Sequence, residues 1–323
     1  MRSGLLAPGA RAVWTPLAGG VSSDVWRVDT PDRVLCVKHA CERLKVAAEW
    51  HVPRSRSSSE WAYLGFAVRH APGSVPRPLA HDASIGIIAM EFLDPATHPV
   101  WKHELMAQRI EPRFASSVGA LLAGLHAASA GDAILERSFA TIENFTALRL
   151  DPYLLACARV HPALARVLQG LIGRTAGARI TLVHGDVSPK NILVGPGGPV
   201  FLDAECAWFG DPAFDLAFCL THLLLKCLVH LHARDRYLDS FRELVQAYLR
   251  EVTWEPSAQV ETRAASLLPA LLLARVDGKS PVEYLTESWQ KQLVRRVARD
   301  LLVDPSAHLA ALAELWGSAL SRQ

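Results

Sequence analysis

Residues 184–191 read HGDVSPKN and residues 201–205 read FLDAE, with a glycine-rich GPGG turn between them. Asp186 stands five positions before Asn191, and Asp203 follows the turn. Either fragment alone fits an ordinary turn or strand end. Because the two occur in this order with one short hairpin between them, we expect the three oxygen-bearing side chains to meet at one cleft.

The order of these groups resembles the catalytic segment of the aminoglycoside phosphotransferase and choline kinase superfamily, whose members are related to protein kinases. The segment GDPAFDLA at 210–217 matches the GDPxxDLA pattern of the same superfamily. The resemblance implies an α+β, bilobal protein-kinase-like fold. A small antiparallel-sheet lobe with one helix is expected to bind nucleotide over residues 1–93. A large, mainly helical lobe is expected to carry catalysis and substrate binding over residues 94–323.

The resemblance also assigns roles within the large lobe. It implies that Asp186 is the catalytic carboxylate that orients and deprotonates an acceptor hydroxyl, and that Asn191 and Asp203 bind Mg²⁺. Glu205 completes a DxE pair that resembles methylthioribose kinases, which implies a third metal ligand, with a solvated carboxylate as the alternative. Asp215 is expected to accept backbone N–H groups of the catalytic loop, a role compatible with helix N-capping. The two residues expected to support this loop structurally are His184 and Asp215.

The small lobe is expected to supply an ion pair for the nucleotide. Lys38 lies in the apolar run VLCVKHA at 34–40, where a lysine needs an anionic partner. By resemblance it contacts the α and β phosphates, and Glu60 is its expected partner, with Glu49 as the rival. The insert at 45–59 resembles the small lobe of methylthioribose kinase. A solvated loop is the favoured interpretation for two of its residues, Arg54 and Arg56.

The remaining nucleotide contacts are expected from a loop and a hinge. The loop, at residues 17–26, departs from the GxGxxG pattern of phosphate-covering loops, and a plain hairpin explains its sequence equally well. Its candidate phosphate contacts are Gly20, Ser22 and Ser23. Residues 90–93, MEFL, resemble the hinge, where backbone groups of Glu91 and Leu93 would bind the adenine edge. The implied cofactors are ATP, with GTP possible, and Mg²⁺.

Three patches are candidates for binding the acceptor substrate. Their residues are Arg149 and Tyr153, then Trp208, then Arg275 and Asp277. The last pair closes a very apolar helix, so simple capping of its C-terminus is the alternative. Basic and acidic residues are nearly balanced from Ala213 onward. This balance favours a neutral or anionic metabolite, such as a sugar or thiosugar, over a polycationic aminoglycoside.

Composition limits the other classes of function. Half of the 323 residues are hydrophobic and the formal net charge is +2, so neither nucleic acid nor an anionic membrane is expected as partner. The six cysteines lack CxxC spacing, which favours reduced thiols. The apolar run at 216–231 is broken by His222 and Lys226, so no membrane span is expected. We therefore expect a cytoplasmic chain, whose oligomeric state the sequence does not indicate.

Two further classes of function stay open from sequence. One is a nucleotide-binding pseudokinase with a regulatory role, which the intact Lys38, Asp186 and Asn191 oppose. The other is a protein kinase. The chain passes quickly from Asp203 into an apolar helix near Ala213, which leaves no room for a long activation segment.

The hydrophobic pattern predicts a strand-rich first part and a helical remainder. Strands are predicted at 13–17, 21–28, 33–40, 79–83 and 86–93, and then at 180–184, 192–194 and 200–203. One helix is expected to be N-capped within the serines 57–59, and an amphipathic helix is expected over 110–130. Residues 131–151 are interpreted as a polar interruption, and helices are expected to dominate from Ala213 onward.

Overall fold

The computed structural model describes residues 11–17, 22–41 and 52–322. The first part of the chain forms β1 (Val13–Pro16), β2 (Ser23–Asp29), β3 (Val34–Ala40), β4 (Pro78–Asp82) and β5 (Ile87–Glu91). These strands make one antiparallel sheet in the order β1-β2-β3-β5-β4. All five strands were predicted, and no end is displaced by more than two residues.

One face of this sheet builds a small apolar core. Its buried members are Val28, Leu35, Val37 and Ala89. Lys38 pairs with Val25 of β2 and with Ile88 of β5. Because neighbouring residues of a strand face opposite sides, Lys38 points away from the face that holds Val37.

Among the described residues of this part, the one helix is α1 (Arg56–His70), which connects the sheet to the rest of the molecule. Tyr63 and Leu64 on α1 belong to the large core that is built mostly by later helices. The predicted serine cap is wrong. The N-cap position is Ser55, whose side chain makes no capping hydrogen bond, and serines 57–59 lie inside the helix.

The second part of the chain is mainly helical. It begins with α2 (Trp101–Met106), α3 (Pro112–Ser129), α4 (Ala133–Ser138), α5 (Ile142–Phe145), a π-helical segment (Thr146–Leu155), α6 (Ala156–Val160) and α7 (Ala165–Gly177). The short strands β6 (Thr181–Val183), β7 (Ile192–Gly195), β8 (Gly198–Phe201) and β9 (Trp208–Gly210) form two antiparallel pairs, β6 with β9 and β7 with β8. It ends with α8 (Ala213–Cys227), α9 (Arg234–Arg250), α10 (Ser257–Asp277), α11 (Ser288–Val303) and α12 (Leu309–Leu320).

The helix predicted over 110–130 is confirmed as α3, and the GPGG sequence turns the chain between β7 and β8. The prediction that 131–151 merely interrupts the helices is wrong. Asp132 caps α4 by accepting the backbone N–H groups of Ile134 and Leu135, and further helix follows from α5. No side chain of α4 is fully buried, which explains why its sequence is polar. The lobe boundary after Leu93 stays a prediction.

Helix α8 lies at the centre of the large core. All fifteen of its residues are buried, and it packs against α9 and α10. A helix that is apolar around its whole circumference is typical of such a position. Its polar exceptions are Asp215, Thr221, His222 and Lys226. Within the described ranges, every helix falls short of the length and hydropathy that crossing a bilayer requires.

Candidate active site

The segment HGDVSPKN forms a buried loop between β6 and β7 that ends in a short 3₁₀ turn over Pro189–Asn191. The side-chain amide of Asn191 donates to Oδ2 of Asp186 at 2.7 Å and to the Asp186 carbonyl at 3.1 Å. Two cations pair with the same oxygen, Lys190 at 3.2 Å and Arg149 at 2.7 Å. In the described part of the chain, Oδ1 of Asp186 is buried without a hydrogen-bond partner. This carboxylate is therefore held through one oxygen and keeps the other for a ligand.

Asp215 holds the backbone of this loop in place. Its two carboxylate oxygens accept the backbone N–H groups of His184 at 2.7 Å and Gly185 at 2.8 Å. This is the geometry that the bracing role predicted for Asp215 requires. Gly185 has a φ of +80°, and a Cβ there would lie 2.7 Å from the Cys206 carbonyl oxygen, so only glycine fits this turn.

His184 is packed rather than exposed to a substrate. Its ring meets the rings of Tyr63 and Phe201 edge-on, and its Nδ1 accepts the backbone N–H of Asp186 at 3.2 Å. Burial lowers the pKa of His184, so the imidazole stays neutral. Both features fit the structural role that we predicted for this residue.

Arg149 was predicted as an acceptor contact, but the structure places it under the catalytic loop. It lies in the π-helical segment, is only 7% exposed, and donates from Nε to the Gly185 carbonyl at 2.7 Å. Burial opposes the charge on Arg149, but Asp186 together with smaller contributions from other acidic groups nearby outweighs this effect and raises the pKa of Arg149. Its remaining donors are used by Asp186 and by the Leu148 carbonyl. Arg149 thus positions Asp186, a contact that nothing in the sequence had indicated.

Lys38 lines the same cleft as Asn191 and Asp203. Its ammonium donates to the two oxygens of Glu60 at 2.9 and 2.7 Å and also pairs with Asp203. Burial alone would lower the pKa of Lys38, but the Asp203 and Glu60 carboxylates raise it well above its ordinary value. The predicted pair of Lys38 and Glu60 is therefore present. The rival partner Glu49 lies outside the described residues.

Asp203 lies two residues after the end of β8 and has a φ of +67°. This left-handed conformation is strained for a residue other than glycine, and such strain tends to persist at functional sites. The ammonium of Lys38 lowers the pKa of Asp203 against the opposing effect of burial. Asp203 and Asn191 line the same cleft, so the site offers carboxylate and amide oxygens of the kind that Mg²⁺ binds.

The predicted nucleotide contacts are distributed unevenly. Ser22 and Ser23 line the cleft, which measures about 370 Å³, a volume within the usual range for small-molecule sites. Gly20 lies outside the described residues. Glu91 and Leu93 line a neighbouring pocket, and the N–H of Glu91 donates to the Arg77 carbonyl at 2.9 Å. Contacts of the last two residues with adenine stay a prediction.

Glu205 is 4% exposed, and its Oε2 accepts a hydrogen bond from Nε of Arg56 at 2.8 Å. A solvated loop had been the favoured interpretation for Arg56, and that interpretation is wrong, because this side chain is completely buried. Arg56 also donates to the carbonyls of Ser22 and Cys41. It therefore ties the start of β2 to the segment after β8. One oxygen of Glu205 is already used in this way, and its role as a metal ligand stays a prediction. Arg54, its neighbour in the insert, is exposed.

Two of the acceptor candidates are corrected by the structure. Trp208 is 1% exposed, and its indole stacks on Phe145 with ring centroids 3.5 Å apart, so no acceptor can reach its face. Asp277 pairs with Arg295 and His161, each at 2.7 Å, which ties the end of α10 to α11 and to the segment after α6. Charge and aromatic character in the sequence did not reveal these packing roles.

The other two acceptor candidates lie together. Nη1 of Arg275 donates to the Tyr153 hydroxyl at 2.9 Å and to the Ser280 carbonyl. Arg275 lines a small pocket beside the catalytic loop, together with Lys190. Both Arg275 and Tyr153 stay candidates for the acceptor site.

The fold and this constellation define the class of protein: a bilobal, protein-kinase-like phosphotransferase. The sequence matches the Phosphotransferase enzyme family (APH) over residues 13–226, and the chain belongs to that family. This confirms the relationship expected from the motifs at 184–191 and 210–217.

Relatives and solved structures agree with this assignment. Methylthioribose kinase of Yersinia pseudotuberculosis serotype O:1b (strain IP 31758) is 26% identical over 216 residues, 59% of this chain and 53% of that protein. The chain thus spans about half the length of the Yersinia methylthioribose kinases that it matches. Methylthioribose kinase of Bacillus cereus (strain B4264) is 23% identical over 330 residues, 88% of this chain and 83% of that protein.

Two solved structures share the fold. The amicoumacin kinase hAmiN, in complex with AMP-PNP, Ca²⁺ and Ami, has a TM-score of 0.59 and 12% identity, covering 94% of this chain and 91% of that one. A Plasmodium vivax ethanolamine kinase has a TM-score of 0.54 and 11% identity, covering 96% and 81%. Similarity at this identity supports the fold and leaves the substrate open.

Proposed function

We propose that the protein is an ATP-dependent kinase that phosphorylates a hydroxyl group of a small molecule, such as a sugar, a thiosugar or a related metabolite. The observation that carries the proposal is that Lys38 and Glu60 line the same cleft as Asn191 and Asp203, and that Lys38 pairs with Glu60 and Asp203. Asp186 is joined to Asn191 by a hydrogen bond and keeps one free oxygen. Lysine, amide and carboxylates in this order are what phosphoryl transfer requires.

The donor end of the reaction is assigned to Lys38, Asn191 and Asp203. The ammonium of Lys38 would hold nucleotide phosphates while Glu60 fixes its position. Asn191 and Asp203 would hold Mg²⁺, which neutralises phosphate charge when it is bound. Glu205 is a further metal candidate, and Ser22 and Ser23 would contact phosphates. GTP in place of ATP stays open.

The acceptor end of the reaction is assigned to Asp186. Its free Oδ1 would accept the hydrogen bond of the acceptor hydroxyl and then take the hydroxyl proton. The acceptor oxygen forms a bond to the γ-phosphorus as the bond between that phosphorus and the β,γ-bridging oxygen breaks, releasing ADP. Arg149, Lys190 and Asn191 hold the other oxygen and so fix the direction of Oδ1.

The partner in this proposal is a small molecule, without nucleic acid or membrane. Because the reaction draws on the cellular ATP pool, a cytoplasmic location is part of the proposal. An aminoglycoside-type phosphotransferase is the second candidate within the class. Membership in the family supports it, but the positively charged lining of the pocket at Arg275 does not suit a polycationic acceptor. A regulatory pseudokinase is opposed by the complete set of Lys38, Asp186, Asn191 and Asp203.

The substitution Asp186→Asn tests the proposal with little change in shape. We expect Mg²⁺-dependent phosphate transfer from ATP to fall by about 10²- to 10⁴-fold, the usual contribution of a general base. Nucleotide affinity, measured by fluorescence titration, should stay unchanged. Asp300→Asn, on the exposed face of α11, is the matched control and should keep full turnover. Unchanged turnover in the Asp186 variant, on an acceptor panel that the natural protein phosphorylates, would contradict the mechanism.

A further inference from the structure

Lys226 is a buried lysine with which no carboxylate of the described residues forms an ion pair. It lies near the end of α8 and is 1% exposed. Among the described residues it has no hydrogen bond or ion pair, and its ammonium lies 4.8 Å from the centre of the Tyr284 ring. Burying an unpaired charge is expensive, so a protein rarely keeps one without a use. Burial first, and then the charge of Lys102, lower the pKa of Lys226 to about 7.

The surroundings of Lys226 are positively charged. It lines a small pocket between the catalytic loop and the ends of α8 and α10, called here the cationic pocket. Its charged members are Lys102, Lys190, Lys226, Arg275 and Glu283. Glu283, the acid among them, already pairs with Lys102. Lys190 pairs with Asp186, so the charges of Lys226 and Arg275 are the ones that no carboxylate pairs with in the described residues.

Two buried nitrogen atoms at this pocket also lack partners. Within the ranges that the structure describes, Nε2 of His222 and Nε of Arg275 make no hydrogen bond. His222 is 5% exposed and Arg275 is 8% exposed, so bulk water satisfies neither atom well. Burial and then the nearby cations lower the pKa of His222 well below its ordinary value, so its ring is neutral and can donate from one nitrogen. Buried polar atoms are normally bonded, so the Nε–H of Arg275 lacks an acceptor, and Nε2 of His222 lacks a donor or an acceptor according to its tautomer.

The cationic pocket lies beside the transfer site. Lys102 and Lys190 line both this pocket and the nucleotide cleft. The ammonium of Lys190 is 3.2 Å from Oδ2 of Asp186, whose other oxygen faces no protein donor in the described chain. Lys190 therefore borders both the cationic pocket and the carboxylate of Asp186.

We propose that the acceptor substrate carries an anionic group, a carboxylate or a phosphate, which binds in the cationic pocket between Lys226, Arg275 and Lys190. This inference rests on the proposed kinase function and names the chemical class of its acceptor. The pocket measures about 30 Å³, room for one or two water molecules, so it takes the anionic group alone. The rest of the acceptor lies toward the cleft, with its hydroxyl at Oδ1 of Asp186. A polycationic acceptor would be repelled by the same charges.

The test compares hydroxylated molecules that differ only in charge. With the nucleotide site filled by saturating Mg·ADP, the full chain is titrated calorimetrically with glycerol, glycerate and glycerol 3-phosphate, and with a sugar, its aldonic acid and its phosphate ester. The same compounds are offered as acceptors in the Mg·ATP transfer assay. We expect one charged series to bind at least tenfold more tightly than its neutral parent. The series that binds more tightly, the carboxylates or the phosphate esters, identifies the anionic group. Equal or weaker binding of both charged series overturns the proposal.

Variants separate the pocket from its surroundings. Lys226→Met keeps the length of the side chain and removes its charge, and we expect it to weaken binding of the preferred anion roughly 10- to 100-fold, the range for a hydrogen bond to a charged group. Binding of the neutral parent should not change. Lys291→Met, on α11 away from the pocket, is the matched control. Unaltered affinity of the Lys226 variant for the preferred anion would also overturn the proposal.

The two proposals fail in different ways. If charged compounds bind but none receives phosphate from ATP, the kinase function fails and the anion site stands. If acceptors are phosphorylated but the charged ones bind no better than their neutral parents, and Lys226→Met leaves the affinity for the charged ones unchanged, the anion site fails and the kinase stands.

Discussion

Replacing Lys226 by methionine should make the protein more stable at neutral pH. Burial lowers the pKa of Lys226 from its ordinary 10.5 to about 7. A shift of one pKa unit corresponds to about 1.4 kcal/mol, so keeping this ammonium charged in the native state costs about 5 kcal/mol. Methionine removes that cost and also loses the contact with the Tyr284 ring, worth up to about 2 kcal/mol when desolvated. The net gain is about 3 kcal/mol in the free energy of unfolding.

The gain depends on pH in a definite direction. Below pH 7 Lys226 is charged in both the native and the unfolded state, so the natural protein carries the full cost. Between pH 7 and pH 10.5 only the unfolded state binds this proton, and the stability of the natural protein rises by about 1.4 kcal/mol per pH unit. The advantage of methionine should therefore be less than half as large at pH 9 and should disappear near pH 10.5. Other ionisable groups near Lys226 are Lys102, Lys190, Cys219, His222, Arg275, Glu283 and Tyr284.

Urea unfolding followed by tryptophan fluorescence measures both effects. The natural chain, Lys226→Met and Lys291→Met are compared at pH 6.5 and pH 9. We expect a higher midpoint for the Lys226 variant at pH 6.5, a much smaller difference at pH 9, and no difference for the Lys291 control at either pH. A Lys226 variant that is no more stable than the natural chain, or whose advantage is the same at both pH values, would refute the reasoning. In that case the ammonium has a partner or solvent access in the native state.

Two further predictions concern the catalytic loop. Gly185→Ala combines a φ of +80° with a Cβ 2.7 Å from the Cys206 carbonyl oxygen, so we expect a loss of about 2–4 kcal/mol by urea unfolding. Gly173→Ala in α7, where a Cβ meets nothing within 4 Å, should instead gain about 0.5–1 kcal/mol. Asp215→Asn leaves one of the two N–H groups of His184 and Gly185 without an acceptor, and we expect about 1–3 kcal/mol less stability and at least tenfold slower phosphate transfer. Normal transfer rates in that variant would show that the bracing is not needed for catalysis.

The parts of the site that sequence could predict are those tied to local motifs. Asp186, Asn191 and Asp203 were identified because their order and spacing resemble the catalytic segment of a kinase superfamily, whose chemistry needs such oxygen-bearing groups on one loop and one strand end. Lys38 and Glu60 followed because a lysine inside an apolar strand needs an acid. In each case the decisive constraint is short in sequence or follows from burial of a charge.

The contacts that sequence missed join distant segments through packing. Arg149 reaches Asp186 only because a π-helical segment passes under the loop, and Arg56 reaches Glu205 across almost half of the chain. The sequence did contain a pattern that could have identified Lys226 as a site residue. His222 and Lys226 interrupt an otherwise apolar run, and they stand four residues apart on one face of a helix. That spacing pointed to a polar site facing inward from a buried helix, whereas the run had been used only to exclude a membrane span.

The distribution of charge around Asp186 links the two ends of the reaction. An anionic acceptor next to a nucleoside triphosphate is strongly repelled by it, whereas a neutral acceptor is not. The cations Lys190, Lys226 and Arg275 stand where such an acceptor would approach, whereas Lys38 stands on the nucleotide side. An acceptor site built for a neutral sugar would gain nothing from an unpaired buried lysine and would lose stability through it. The cost of Lys226 to the fold is therefore the physical reason to expect a negative charge on the acceptor of the proposed reaction.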